Sequence, residues 1–403
     1  MPAPRWLKEA DRVFFGSKKP WSIQKDLILA NYIPPYLNKI LTRRQTRNID
    51  KPVLFADLFA GKGIFDDGSE GSPILIVKAA EATAPGKWSA VFGNLNEELH
   101  TELSARLRNF PDAHVRNVRS LRLLELLQKF VEQRSLFVFI DPYSITGYDF
   151  ELLAPLLRRV KQGLSTEVLI NFMVADFHKK SARDSVRARG LTGLDPNTRS
   201  KLASLDKTLG GDWWREFQYE DHLSTEARSK LVVDGYINKL KSEGLNFVGQ
   251  CPVREKDEAS PNYRLIHGSA NIEALKLMNE TMGNAIGNEL HRRSVQEKTP
   301  LFHGQIGDAD FQAWERGRHY VTAALVDFVP RYISKSPGLS RVETWGNIVQ
   351  DHFLQFFHKE YRATVKNLHD SGIIIVRTPD GHVVEPGKSK GLNDKVLLFL
   401  GGS

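Results

Sequence analysis

The chain has 403 residues, of which 41% are hydrophobic and 10% aromatic, so it is long enough for two or three domains with buried cores and is not a disordered protein. Its single cysteine, Cys251, excludes a disulfide framework, a cysteine-rich zinc module and an iron–sulfur cluster. The formal charge of +8 favours an anionic partner, provided that the charge is concentrated in particular segments.

The sequence predicts a soluble, cytoplasmic protein without a membrane partner. Leu136–Ile140 is among its longest apolar runs, far below the roughly 18 residues that a membrane-spanning helix needs. The N-terminus lacks the apolar core of a signal peptide, and one cysteine fits a reducing compartment.

Residues 1–50 are predicted to form a basic, helical N-terminal segment. They hold ten basic and four acidic residues, a net charge of +6, and aromatic residues are interleaved among them. Such a mixture is typical of grooves that hold phosphates and bases. The alternative is a helical cap whose aromatic side chains pack on the core while its lysines face water. The candidate nucleic-acid contacts of this segment are Lys18, Lys19, Arg43 and Arg44.

From residue 51, short continuous apolar runs alternate with helical stretches. Continuous apolarity is typical of strands buried on both faces, and hence of a parallel sheet. The predicted strands are 53–58, 90–95, 114–118, 136–140 and 168–173, and the predicted helices between them are 74–84, 97–109, 121–133 and 150–162. This alternation predicts a doubly wound, Rossmann-like α/β domain, which we place at residues 51–285.

The first predicted strand runs into a glycine-containing loop, residues 57–63 (DLFAGKG). Its two glycines allow a tight turn and a close approach to a ligand, and open α/β sheets bind ligands at the carboxyl ends of their strands. The spacing differs from the dinucleotide-binding G-x-G-x-x-G, and no P-loop Lys-Ser/Thr follows. The loop resembles motif I of S-adenosylmethionine methyltransferases, which receives the methionine end of the cofactor. The residues that this resemblance implies for cofactor binding are Asp57, Phe59, Gly61 and Gly63. Ser72, further along, is predicted to cap the next helix.

The ends of the second and third strands carry amides. Related methyltransferases use an acid after the second strand to hold the ribose hydroxyls, whereas this chain offers Asn94 and Asn96, which bond less strongly than a carboxylate. Asn117, at the end of the third strand, is the candidate adenine contact. The missing acid leaves a non-catalytic binding module open as an alternative.

Asp141, Pro142 and Tyr143 follow the fourth strand, at the position of methyltransferase motif IV. A carboxylate there accepts hydrogen bonds from an exocyclic amine, and an aromatic ring stacks on a flat substrate. The motif has one proline where DNA amino-methyltransferases have two, and an Asp-Pro pair also occurs in simple turns. These three residues are the candidate catalytic residues.

A polar, helix-rich insertion is predicted at about 177–243. Residues 177–215 hold nine basic and four acidic residues, a net charge of +5, and the candidate phosphate contacts are Lys179, Lys180, Arg183 and Arg187. Two strands at 247–253 and 263–268 are predicted to form an antiparallel pair. The histidines show no spacing typical of a metal site, so no metal is expected.

Residues 286–336 are predicted to be a helical connector, and residues 337–403 a winged-helix-like domain. A capping box at Ser340 and Glu343 begins one helix, a second helix follows, and 373–377 and 382–384 are predicted to be strands joined by a turn. This last domain is nearly neutral, with eight basic and seven acidic residues, which counts against a third hypothesis, a winged-helix DNA-binding regulator.

Together these segments resemble the three-Cys-motif partner protein family of bacteria. The resemblance is carried by FADLFAGKGIFDDGSEGSPILIVKAA, FVFIDPYSITGYDFELLAPLL and EVLINFMVADFHKK in that order, with a later match in NYRLIHGSANIEALKLMNETM. It covers roughly residues 20–285, and 337–400 more loosely, while Lys62 and Asp176 depart from the commoner residues. It implies a Rossmann-like, methyltransferase-related fold and a partner protein that carries a three-cysteine motif.

The first hypothesis is therefore an S-adenosylmethionine-dependent methyltransferase-like protein that acts on nucleic acid. The second is a non-catalytic Rossmann-like accessory module that works with a partner protein in a bacterial operon, with defence as one setting.

Overall fold

A computed structural model describes residues 20–45, 51–253, 263–296, 306–387 and 392–401. By its internal contacts the chain divides into two compact units, Met1–Asn271 and Ile272–Ser403. The candidate contacts Lys18 and Lys19 lie outside the described residues. None of the described helices is long and apolar enough to cross a membrane.

The first unit contains a seven-stranded sheet in the order β3-β2-β1-β4-β5-β7-β6. The strands are β1 Val53–Asp57, β2 Trp88–Asn94, β3 Ala113–Asn117, β4 Leu136–Ile140, β5 Thr166–Phe172, β6 Phe247–Val253 and β7 Tyr263–Ser269. β1 to β5 are parallel, and β7 lies antiparallel between β5 and β6, so the predicted pairing of the last two strands is confirmed.

Burial along the strands explains why their sequences are apolar. Every residue of β1, β4 and β5 is buried, as expected for central strands covered on both faces. β3 differs, because it lies at the edge of the sheet and Arg116 and Asn117 are exposed there. An edge strand needs less apolar sequence than a central one, which explains the polar residues in this run.

Helices connect the parallel strands and cover the sheet. The helices of the first unit are α1 Pro20–Gln45, α2 Ser72–Thr83, α3 Glu97–Leu107, α4 Ser120–Phe130, α5 Phe150–Arg158, α6 Val174–Lys180, α7 Arg183–Arg189, α8 Pro196–Leu209, α9 Trp214–Gln218 and α10 Thr225–Ser242. The last five form the predicted helical insertion between β5 and β6. A doubly wound, Rossmann-like α/β sheet is therefore confirmed.

α1 covers one face of the sheet with its aromatic residues. Tyr32 stacks on Tyr36, and their rings lie 5.9 Å and 5.7 Å from that of Phe137 on β4. The Tyr32 hydroxyl donates to Glu167 of β5 at 2.6 Å. These two tyrosines behave as the helical-cap alternative predicts, because they pack on the core and are not available to a base.

In the part of the second unit that the structure describes there are four helices and a small two-stranded sheet. Its elements are α11 Ile272–Gln296, α12 Ile306–Lys335, α13 Arg341–Asp351, α14 His358–Asp370, β8 Ile374–Arg377 and β9 Leu397–Leu400. The predicted capping box is present, since Ser340 and Glu343 bond reciprocally. The predicted strand at 382–384 is shortened to a single antiparallel bridge from Val383 to Arg377, and β8 forms its longer pairing with β9.

A buried polar contact fixes the start of α14 within this unit. Asn279 is fully buried; its amide oxygen accepts from the Leu354 backbone at 2.6 Å and its nitrogen donates to the Phe356 carbonyl at 2.8 Å. The neighbouring Glu280 accepts from the His358 backbone at 2.9 Å. The turn between α13 and α14 is thus held by hydrogen bonds from α11.

Candidate active site

The glycine loop leaves β1 in a conformation that favours glycine. Gly61 and Gly63 have φ angles of 64° and 83°, in the left-handed region. A Cβ at residue 63 would lie 2.7 Å from Leu103 Cδ1, and the Gly63 carbonyl accepts from the Gly71 backbone at 2.7 Å. Backbone angle and space therefore both require glycine at residue 63.

Gly63→Ala should lower the free energy of unfolding by about 3 kcal/mol, from the left-handed backbone and the collision with Leu103 together. Gly68→Ala is the matched control, because Gly68 has a φ of 82° but nothing within 4 Å of its Cβ position. We expect that variant to lose only about 1 kcal/mol. Urea denaturation measures both, and equal losses would contradict the steric argument.

Asp57 holds the start of this loop by accepting two hydrogen bonds. It is fully buried, and its carboxylate accepts from the Phe59 backbone at 3.0 Å and from the Ser72 hydroxyl at 2.7 Å. Burial raises the pKa of Asp57 to about 7. It is not among the residues that line the two cavities described below. Ser72 does not cap α2, since Gly71 is the N-cap residue and the Ser72 hydroxyl is bonded to Asp57.

A first cavity, of about 270 Å³, opens beside the glycine loop. Its lining comes from the glycine loop, from β5, from the segment that follows β4 and from the first turns of α1. Its lining residues include Phe59, Gly61, Gly63, Asp141, Pro142, Tyr143 and Asn171, with Ser22, Lys25 and Asp26 of α1. The predicted glycine loop and Asp-Pro-Tyr segment are therefore brought together, although 78 residues separate Gly63 from Asp141.

A second cavity, of about 300 Å³, lies at the ends of β2 and β3. Asn94 and Asn96 line it, and most of its remaining surface is apolar, from residues such as Leu95, Leu99 and Val118. Asn94 donates to the Gly61 carbonyl at 2.7 Å, and Asn96 caps α3 by accepting from the Glu98 backbone at 3.0 Å. The exposed Asn117 is not among the lining residues, whereas Val118 and Ser120 are.

The two cavities share Phe59 and Tyr143. Gly147 permits this arrangement, because a Cβ there would lie 2.8 Å from Pro142 Cβ and 3.0 Å from Phe59 Cζ. Asp176 holds the same turn by accepting from the Ser144 hydroxyl and the Ile145 backbone, both at 2.9 Å. Asp176, which departs from the commoner residue of the family pattern, is therefore a positioning residue for the segment after β4.

Two other side chains hold the carboxylate of Asp141. Lys25 Nζ lies 2.5 Å from Asp141 Oδ2, and Asn171 Nδ2 donates to Oδ1 at 2.6 Å. The Lys25 side chain is 7% exposed and that of Asp141 23%, so the pair is largely removed from water. Asn171 reaches this carboxylate from the end of strand β5, where it is the penultimate residue. Lys25 was missed, since nothing in its local sequence points to a partner 116 residues away.

The residues predicted to contact phosphate differ in their exposure and in their bonding partners. Lys179 and Arg43 are exposed, whereas Arg44 is buried. Lys180 donates to Thr146 at 3.3 Å. Arg183 bonds the Gln218 and Glu220 carbonyls and pairs with Asp221, which lies 3.2 Å from Arg187 as well. The positive charge of this helical insertion is therefore partly neutralised within the chain.

The strand order, and the cavities at the carboxyl ends of the strands, define a doubly wound, Rossmann-like α/β protein. No known family model matches the chain, so its resemblance to three-Cys-motif partner proteins stays a prediction. No curated protein matches it either.

Solved structures with similar folds include several methyltransferases. A fibrillarin pre-rRNA processing protein from Methanococcus jannaschii is 11% identical, with 55% of this chain and 67% of that one covered at a TM-score of 0.27. Magnesium protoporphyrin IX methyltransferase from Synechocystis with bound S-adenosylmethionine is 9% identical, with 66% and 92% covered at 0.27. A putative rRNA methylase from Clostridium thermocellum is 7% identical, with 57% and 95% covered at 0.27. These scores are low, and the fold assignment depends on the strand order and register.

Proposed function

We propose that the first unit binds S-adenosylmethionine across the two cavities and transfers its methyl group to an acceptor held at Asp141. The observation that carries this proposal is the meeting of two chemically different cavities at Phe59 and Tyr143. A ligand with an amino-acid half and an adenosine half suits such a pair of spaces.

The residues present fit that cofactor. Gly61 and Gly63 line the first cavity, where the amino-acid half would lie against the loop, and this cavity contains charged side chains that match its ionic groups. The second cavity offers apolar walls for a purine, with the amides of Asn94 and Asn96 near a ribose. Amides replace the expected acid here, so binding is expected to be weaker than with a carboxylate.

The bound cofactor supplies an electrophilic methyl group, and the chain's own residues position its acceptor. Asp141 accepts a hydrogen bond from the acceptor nitrogen, which keeps the nitrogen lone pair free to attack. Tyr143, 41% exposed, offers a ring face beside the same site on which a flat acceptor would stack. Asn171 and the turn held by Asp176 fix the position of that carboxylate.

Nucleic acid is the acceptor that we propose. The support is the net positive charge of residues 1–50 and 177–215, the exposed Lys179 beside the sheet edge, and the exposed ring of Tyr143. We further propose that residues 337–403 act as a winged-helix-like docking element, for nucleic acid or for the partner protein with a three-cysteine motif.

Isothermal titration calorimetry with S-adenosylmethionine and S-adenosylhomocysteine tests the first step. We expect both to bind, and Phe59→Ala to weaken binding by at least about tenfold because it removes the wall shared by both cavities. Phe130→Ala is the control, since Phe130 is 64% exposed and is not among the residues that line either cavity. The absence of heat with both ligands at millimolar concentration would overturn the proposal.

A further inference from the structure

One amine of the chain itself is bonded to Asp141, the residue that we propose to hold the acceptor. Lys25 Nζ donates to Asp141 Oδ2 at 2.5 Å, and the lysine is only 6% exposed. Asn171 binds the other carboxylate oxygen and holds the carboxylate in place for this contact. The amine is thus fixed in position and separated from bulk water.

The residue that carries this amine also lines the space beside the glycine loop. Lys25 lines the first cavity together with Phe59, Gly61 and Gly63, and it is the one lysine among the described residues that do so. A methyl donor seated against the glycine loop would share this cavity with Nζ. Proximity of this kind replaces a bimolecular encounter by a reaction within one site.

We propose that Lys25 is a methyl acceptor of its own chain, an inference that rests on the proposed function. The Lys25 ammonium first gives a proton to Asp141, which releases it to water. The resulting neutral amine attacks the methyl carbon, forming the nitrogen–carbon bond as the carbon–sulfur bond breaks. The electron pair of the broken bond stays on sulfur, which yields S-adenosylhomocysteine, and the product is a protonated N-methyllysine.

Two other lysines of the described chain show what distinguishes Lys25. Lys39 lies on the same helix but is exposed and does not line the cavity. Lys62 belongs to the glycine loop, but its amine pairs with Asp66 and it is not among the lining residues either. Both serve as internal controls, because random chemical methylation would reach the exposed Lys39 first.

Incubation of the full chain with S-adenosylmethionine, followed by digestion and peptide mass spectrometry, tests the proposal. We expect one methyl group on Lys25, at a rate roughly a hundredfold above that on Lys39. Lys25→Arg keeps a cation beside Asp141 and should abolish the modification while circular dichroism shows a folded chain. Calorimetric binding of the cofactor without methylation of Lys25 would overturn this inference alone, and the absence of binding would overturn the proposed function with it.

A second measurement requires no methyl transfer. S-Adenosylhomocysteine should slow acetylation of Lys25 by a small amine-directed reagent at least about tenfold, because it would fill the cavity that gives access to Nζ, and should leave Lys39 unaffected. Equal acetylation of Lys25 with and without this ligand, under conditions in which calorimetry shows it bound, would place the ligand away from Lys25 and contradict the proposal.

Discussion

Asp141→Ala should lower the free energy of unfolding of the chain by about 3 kcal/mol, because it leaves the ammonium of Lys25 buried without its partner. Removing one member of a buried ion pair costs far more than the pair itself contributes, since the remaining charge keeps its desolvation penalty. The same variant should lose methyl transfer to any acceptor. Urea denaturation measures the first effect and a radiolabelled-methyl assay the second.

The double variant Lys25→Met/Asp141→Ala separates the two effects. With both charges gone, most of the lost stability should return, to within about 1 kcal/mol of the original chain. Methyl transfer should not return with it. If the double variant is as unstable as Asp141→Ala alone, the loss comes from packing around Asp141 and the ion-pair argument is wrong.

The difference in the free energy of unfolding between Asp57→Asn and the original chain should shift in favour of the variant as the pH rises. Burial raises the pKa of Asp57 to about 7, well above the value near 3.9 of an unfolded aspartate. Between these two values the folded state holds a proton that the unfolded state has released, so stability is full at low pH and falls as pH rises. In this pH range the free energy of unfolding of the original chain falls by about 1.4 kcal/mol per pH unit. The variant should not show this fall, because the side chain of asparagine does not ionise.

Unfolding measurements from about pH 5 to about pH 8 test this expectation. The difference in stability between Asp57→Asn and the original chain should change by about 3 kcal/mol over this range, in favour of the variant as pH rises. Asp112→Asn is the control, since Asp112 is exposed in the loop before β3. The same pH dependence in both variants would show that Asp57 is not the group that titrates.

Several parts of the site were predictable because local sequence determines them. Continuous apolar runs identify the central strands, since both faces of β1, β4 and β5 are buried. The glycines of residues 57–63 predict the turn after β1, because only glycine readily adopts the φ angles found there. Parallel strands have their carboxyl ends at one edge, so Asp141 was expected beside that turn.

Other assignments depend on partners that are distant in sequence. Asp57 was predicted to contact the cofactor, yet its carboxylate is bonded to Phe59 and Ser72 beneath the loop. Arg183 was predicted to bind phosphate, and its guanidinium forms an ion pair with Asp221 and donates hydrogen bonds to two backbone carbonyls. In both cases the residue type suits the predicted chemistry, which stays a prediction, while the contacts of Ser72 with Asp57 and of Asp221 with Arg183 follow only from the tertiary structure.

The amino-acid sequence alone determined the doubly wound sheet, the glycine loop and the Asp-Pro-Tyr segment at one sheet edge, because apolar periodicity and backbone preference act over a few neighbouring residues. It also located the positive charge in residues 1–50 and 177–215. Only the tertiary structure decided that Phe59 and Tyr143 join two cavities and that Lys25 pairs with Asp141. The physical reason is that an ion pair or a shared cavity wall depends on distance in space, and a helix packed across the sheet brings together residues that the chain holds far apart.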